Sequence, residues 1–391
     1  MHTQSAPLTL GTERISILLR QYAIPAIIAQ TATSLYNMID SIFIGHGVGP
    51  LALSGLAVTF PLMNLSTAFG TLVGVGSATM ISMRLGQKDY KNAQNILGNS
   101  VVLNVIIGML FALLAYIFLD PILYFFGASE DTLPYARDYM EILLIGNVIT
   151  HLYFGLNNVL RASGHPKKAM TATIMTVVIN TILDPIFIFG FGWGIKGAAI
   201  ATVLGQLLAL LWLLRFFAKK ENLLHFEKGI YKLKKHIVTP ALSIGISPFL
   251  MNVASSLIVI LINQALGRHG GDLAIGAFGI INRIEYLFLM IVLGFNQGMQ
   301  PIAGYNYGAE QYSRVTEVLK LTIRWATIVT CIGFVIGMGL PDLAVSLFTP
   351  DADLKEIAVL GLRISIIMFP IVGFQMVSSN FFQSIGMVKK S

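Results

Sequence analysis

An all-α polytopic membrane protein of two homologous six-helix lobes is the fold class this sequence predicts, and three observations predict it. Apolar runs of about 20 residues recur from end to end, each long enough to cross a hydrocarbon core of about 30 Å. Basic residues gather in alternate connections between the runs. Short strings of sequence return further down the chain at one constant offset. Of the 391 residues, 55% are hydrophobic and 12% charged, about half the charge of a soluble domain. Backbone groups in lipid must be paired within the segment, so the runs are helices.

Ten spans are expected, at 22–44, 51–77, 96–119, 139–160, 169–189, 197–217, 237–266, 273–299, 318–340 and 357–381. The first follows Arg14 and Arg20 and has no small-residue cleavage site after it, which marks a retained helix rather than a secretory signal. With the N-terminus in the cytoplasm, twenty of the 26 Lys and Arg fall on that side, as the positive-inside rule requires. The opposite side collects Asp120, Glu130, Asp131, Asp342, Asp351 and Asp353. The net charge of +7 is therefore a topology signal and not a nucleic-acid surface. A bacterial-type cytoplasmic membrane is the expected location, with lipid as the surrounding partner. A single cysteine, Cys331, excludes an intrachain disulfide.

The loop RLGQKDYKNAQ after the second span is answered by YNYGAEQYSRV after the eighth, and NNVLRASGHPKK after the fourth by SNFFQSIGMVKK after the tenth. Gly86 and Gly308, Asn158 and Asn380, and Gly164 and Gly386 are all separated by the same offset, 222 in sequence number. One maintained offset implies two homologous lobes. Six spans, an even number, give both lobes the same orientation, a parallel repeat with a pseudo-two-fold axis along the membrane normal. The first lobe is expected at 1–217 and the second at 237–391, joined by a basic linker, 218–236, read as a solvated tether at the lipid surface. Counterparts of the fifth and sixth spans would lie beyond Ser391. The second lobe is thus expected to be incomplete, with ten of about twelve helices present.

The strings YNMIDSIFIGHGVGPLALSGL, NTILDPIFIFGFGWGIKGAAIATVLGQ and GFNQGMQPIAGYNYGA resemble those of the MATE family of multidrug and toxic-compound extrusion transporters. The resemblance covers the chain from end to end. It implies export of cationic or amphiphilic small molecules by alternating access, coupled to entry of Na⁺ or H⁺, with no enzymatic step and no cofactor beyond the coupling ion. A monomer is expected.

The residues point to where coupling would occur. A carboxylate inside a membrane helix costs about 2.5 to 3.5 kcal/mol on insertion scales and normally faces a cavity or a partner. At about 1.5 Å per residue, Asp40 in the first span, Asp184 in the fifth and Thr202 in the sixth share one depth toward the outer side. Asn180 precedes Asp184 by four residues, which puts both on one helix face. Carboxylate, amide and hydroxyl oxygens suit a hard monovalent cation or a shared proton rather than a transition metal. The resemblance assigns Asp40, Asn180, Asp184 and Thr202 to the cation site, where Na⁺ is a candidate ligand. Tyr139 fits the same depth, whereas Asn157, which resembles a network member, counts nearer the cytoplasmic end. The competing account is structural, with the aspartates serving backbone freed by Pro185 or bonding neighbouring helices. A second carboxylate at the same level is more than that account needs.

The second lobe is not an electrical copy, since Asn263 stands where Asp40 stands in the first. Its eighth span carries Arg283 and Glu285, candidates for a substrate pathway. Two residues apart on a helix, they point in different directions, so each needs its own partner. His151 is read as a hydrogen-bonded packing residue. Pro25, Pro61, Pro185, Pro248, Pro301 and Pro370 are expected to kink their spans. An intramembrane enzyme is disfavoured because no HExxH or GxSxG string is present. A lipid-linked oligosaccharide flippase of related architecture is the alternative carrier, but it would need several basic residues in the cavity, and Arg283 alone qualifies.

Overall fold

The protein is described by a computed structural model that covers residues 6–349 and 351–391. Its helices are α1 (Ala6–Thr12), α2 (Ile15–Gly47), α3 (Pro50–Gly86), α4 (Tyr90–Ile117), α5 (Leu119–Phe125), α6 (Leu133–Ile145), α7 (Asn147–Ala162), α8 (Pro166–Pro185) and α9 (Gly194–Phe217), then α10 (Lys235–Gly308), α11 (Tyr312–Gly339), α12 (Pro341–Ser346), α13 (Ala352–Ile366) and α14 (Phe369–Ser384). Among the described residues there is no strand.

Among the described residues, seven helices are long and apolar enough to cross a membrane, and the bent pairs α6–α7 and α13–α14 raise the number to nine. The one expected span outside that number, the first at 22–44, lies within α2. At 33 residues, about 50 Å, α2 is long enough to cross, but Thr31, Thr33, Ser34, Asn37, Asp40 and Ser41 interrupt its apolar run.

The seventh and eighth expected spans lie on one continuous run of helical backbone, α10. A straight helix would place Ala241 and Tyr305 roughly 96 Å apart. Yet Ala241 packs on Gly76 and Tyr305 on Gly86, less than half of α3 away. The run therefore doubles back, and its arms Lys235–Ile262 and Gly276–Gly308 each qualify as a span. The side chain of Asn263 lies outside the described residues.

Of the prolines expected to kink their spans, Pro370 lies at a sharp bend, in the first turn of α14 just after the break. Pro25, Pro61, Pro248 and Pro301 sit inside helices that continue through them, since neighbouring groups can re-satisfy a freed carbonyl. The breaks are at Gly146, bent 57°, and at Ile367–Met368, bent 51°. Gly146 and Met368 are related by the same offset as the repeated strings. Pro185 ends α8 and is followed by a π-helical turn, Ile186–Gly190.

The linker is not the free tether the sequence suggests. Residues Gln94, Asn95 and Asn99 of α4 form a polar row that fastens it down. Gln94 Nε2 donates to the His225 carbonyl. Asn99 Nδ2 donates to the carbonyls of Ile230 and Lys232 at 3.1 and 3.0 Å, and its Oδ1 accepts from the Lys234 amide at 2.9 Å. Lys234 Nζ donates to Asn95 Oδ1 at 2.9 Å. Backbone polar groups of a connecting segment need partners, and these amides supply them.

The two halves meet through a reciprocal contact. A Cβ on Gly86 would run into the Tyr305 carbonyl, and one on Gly308 into the Met83 carbonyl. Met83 with Tyr305 and Gly86 with Gly308 are both pairs related by the repeat, so the contact has approximate two-fold symmetry. Lys88 and Glu310, just after these glycines and at the same offset, are the non-glycine residues with positive φ among the described residues, at 60° and 59°.

Three apolar clusters form the core. One joins both halves at the end that carries α1, taking in Leu19 and Ala23 of α2, Ile81 of α3, Leu160 of α7, Ile244 and Ile302 of α10 and Val377 of α14. At the far end the core divides. One cluster is built from Ile44, Leu62, Leu123, Tyr139 and Ile188, and the other from Ile281, Ile284, Val345, Leu362 and Phe369. The molecule is thus a fork, fused at the α1 end and split at the other.

Candidate functional site

In the limb built on the cluster around Tyr139, α2, α6, α8 and α9 converge on a polar nest. Asp184 and Asn180 come from α8, one turn apart on one face, and both are fully buried. Asn180 Nδ2 donates to Asp184 Oδ1 and to Thr202 Oγ1, each at 3.2 Å. Thr202 is presented by α9 because Gly205 lets that helix approach α8 closely; its Cβ would lie 3.1 Å from the Thr176 carbonyl. From α2, Asp40 is 5% exposed, and its carboxyl lies beside that of Asp184. Tyr139 of α6 is buried beside them.

The nest is short of donors. Asp40 Oδ1, Asp184 Oδ2 and Asn180 Oδ1 are all buried with no hydrogen-bond partner. An orphaned buried acceptor normally costs about 1 to 3 kcal/mol, more when charged. Two carboxylates side by side in a low-dielectric setting do not both ionise without a counter-charge. A proton shared between the carboxyls, or a bare monovalent cation among these oxygens, meets that need. The donor set of carboxylate, amide and hydroxyl oxygen fits a hard cation, and no group of three or more His, Cys, Asp or Glu side chains suited to a metal occurs among the described residues. The side-chain partner of Asp184 is Asn180 of the same helix face.

Asp40, Asn180, Asp184, Thr202 and Tyr139 are therefore brought together. Tyr36, unremarked in the sequence, belongs with them, its hydroxyl 3.2 Å from Thr202 Oγ1. It precedes Asp40 by four residues, and that spacing was the available signal.

Asn157 is elsewhere. Its Nδ2 donates to the Ala169 carbonyl at 2.9 Å and lies 3.5 Å from Thr173 Oγ1, and Thr173 is about 16 Å before Asp184 along α8. Glu285 is half-buried on the second arm of α10, near Ser365 of α13. Arg283 is exposed and forms no ion pair among the described residues. His151 is buried, its Nε2 3.3 Å from Ser66 Oγ, which in turn donates to Asn147 Oδ1 at 2.6 Å.

Residues 25–186 and 248–391 match a family model described as MatE. The multidrug export protein MepA of Staphylococcus aureus (strain MSSA476) is 27% identical over 365 residues, which are 93% of this chain and 80% of MepA. MepA of Staphylococcus haemolyticus (strain JCSC1435) is 28% identical over the same shares. Among solved structures, the outward-facing conformation of a multidrug resistance MATE family transporter of the MOP superfamily superposes with a TM-score of 0.92 at 25% identity, over 100% of this chain and 86% of that one. A ligand complex of the MATE multidrug transporter DinF-BH superposes with a TM-score of 0.89 at 34% identity, over 97% of this chain and 85% of that one.

Proposed function

Because the chain belongs to the MatE family, we propose that it exports cationic and amphiphilic small molecules from the cell by antiport against Na⁺ or H⁺. The observation that carries the coupling role is the set of three buried, partnerless oxygens shared by Asp40, Asn180 and Asp184. A coupling cation taken up there is coordinated by all three, and a coupling proton is shared between the two carboxyls. The positive-inside rule places the fused α1 end in the cytoplasm, so the fork is the state closed inward and open outward.

Coupling requires that ion and drug favour different states of the fork, because a ligand that binds both states equally shifts nothing. Asp40 is the natural sensor. It rides on α2, which contacts both α8 in its own limb and α10 across the fork, so the charge in the nest bears on the helix that joins the halves. On the cargo side, Glu285 supplies a negative group on the facing half, and a cationic amphiphile complements it.

The test is uphill efflux in sealed vesicles. Asp40→Asn and Asp184→Asn are each expected to abolish pumping against a gradient, while Asp40→Asn still binds drug in detergent. Pumping at the parental rate by either variant, at normal expression, would remove the nest from the mechanism.

A further inference from the structure

Below the nest, toward the α1 end, the same limb contains a polar track that the coupling site does not use. On α8, Asp184, Asn180, Thr176 and Thr173 recur at spacings of four, four and three, which is one helix face. On the facing α7, Tyr153, Asn157 and Arg161 recur at four and four. The two rows bond to one another. The Tyr153 hydroxyl donates to Thr173 Oγ1 at 3.3 Å and reaches Thr176 as well; Asn157 Nδ2 lies 3.5 Å from Thr173 Oγ1; Arg161 Nη2 donates to Asn157 Oδ1 at 3.3 Å.

Interhelical glue accounts for the threonines and the asparagine, since such side chains commonly bond helices in membranes. It does not account for Arg161. That side chain is 9% exposed and forms no ion pair among the described residues. Burying an unpaired charge is among the costlier things a fold can do. Its position gives the charge a purpose: Arg161 stands at the end of the track, against Ala78 and Ser82 of α3 and Gln300 and Pro301 of α10, where the two halves are fused.

We propose that Arg161 is an electrostatic plug, a fixed positive charge that keeps the lobe-internal polar track between the aspartate pair and the cytoplasm closed to cations. The inference rests on the coupling role proposed above for that pair. Antiport needs the ion site to open to one side at a time. A row of hydroxyls and amides leading from the carboxylates to the cytoplasm would be a second, permanent route and would short-circuit the exchange. A guanidinium at its mouth repels any cation that enters, as fixed arginines do in pores that exclude cations. The cleft between the limbs is then left as the sole ion route, and its alternation sets the coupling.

The experiment measures drug-free leak in proteoliposomes carrying the full chain, read as uptake of radioactive sodium and as lumenal acidification under imposed gradients. Arg161→Gln is expected to raise one of these leaks about tenfold or more, given the strength of a close charge in a partly buried setting, and Arg161→Lys to restore the seal. Asn157→Asp leaves the guanidinium packed but cancels its charge, and is expected to leak as well. In the double variant Arg161→Gln/Asp184→Asn the leak should vanish, because the track no longer begins at an ionisable pair. Parental leak in Arg161→Gln and in Asn157→Asp overturns the plug, and should Arg161→Gln not assemble, parental leak in Asn157→Asp alone does so. A leak that persists in the double variant places the route elsewhere and overturns it too. Asp184→Asn alone, assayed for uphill efflux in the same vesicles, decides the coupling role separately.

Discussion

Tyr36 shows how a side chain that holds no cation can set the affinity for one. Its hydroxyl and the Asn180 amide both meet Thr202 Oγ1, so the threonine is oriented from two sides. Tyr36→Phe removes one of them and leaves the ring in place. A hydrogen bond of this kind contributes about 0.5 to 1.5 kcal/mol net, so the ion concentration for half-maximal efflux should rise about two- to tenfold, with the maximal rate nearly unchanged. An unaltered ion dependence would show that Thr202 is held without it. The nest was legible because a carboxylate inside an apolar run is costly enough to stand out and depth follows from residue count. Asp40 and Asp184 stand out that way; Asn180 and Thr202 share their depth and join the set through the family resemblance. Tyr36 escaped because a tyrosine costs little in such a helix and so raises no alarm. Arg161 escaped for the opposite reason: it lies within a few residues of Lys167 and Lys168, and a basic residue near the end of a span reads as an ordinary contribution to the inside-positive charge.

The elements repeat the lesson that a segment is shaped by what it lies against. The composition of residues 218–236 reads as a solvated tether, yet Asn99 alone accounts for three of its backbone hydrogen bonds. At about 1 kcal/mol net for each bond, Asn99→Ala should destabilise the purified protein by roughly 2 to 3 kcal/mol. It should also make the linker a fast site for limited proteolysis. Unchanged thermal unfolding together with parental resistance to protease would show that packing alone, Ile230 against Gly98, holds the segment. The bend at Gly146 was equally hidden, whereas the one at Met368 falls two residues before Pro370, a proline expected to kink its span. At Gly146 no proline marks the kink, and the bend there answers a requirement that both halves break at the same place in their fourth helix. That requirement comes from packing within the half, which single-chain periodicity does not record. α2 illustrates the reverse: its polar content lowers its standing as a span by apolarity, and the same residues are what give it a role.

At the scale of the whole molecule, the constant offset between repeated strings carried more of the architecture than any helix did. It anticipates Gly86 and Gly308, whose mutual contact lies where the halves are fused, although nothing in a string of residues says that each glycine touches the other's neighbourhood. Three-dimensional reciprocity of that kind becomes visible only when both copies are folded against each other. The division of the core was beyond reach for a similar reason, since apolar patterning shows that a residue is covered but not by which half. That division has a mechanical side. A body with one core at one face of the bilayer and two at the other occupies more area in the leaflet where it splits, and so has the profile of a wedge. The lateral pressure of that leaflet then does work whenever the limbs part or close. Conical lipids, which relax headgroup crowding, and inverted-cone lysolipids, which increase it, should therefore push the population of open and closed forks in opposite directions. Spin-label distances between the limb tips in nanodiscs of matched thickness would record it, and a distance distribution indifferent to both lipids would mean that the cleft fills with chain or lipid as fast as it opens.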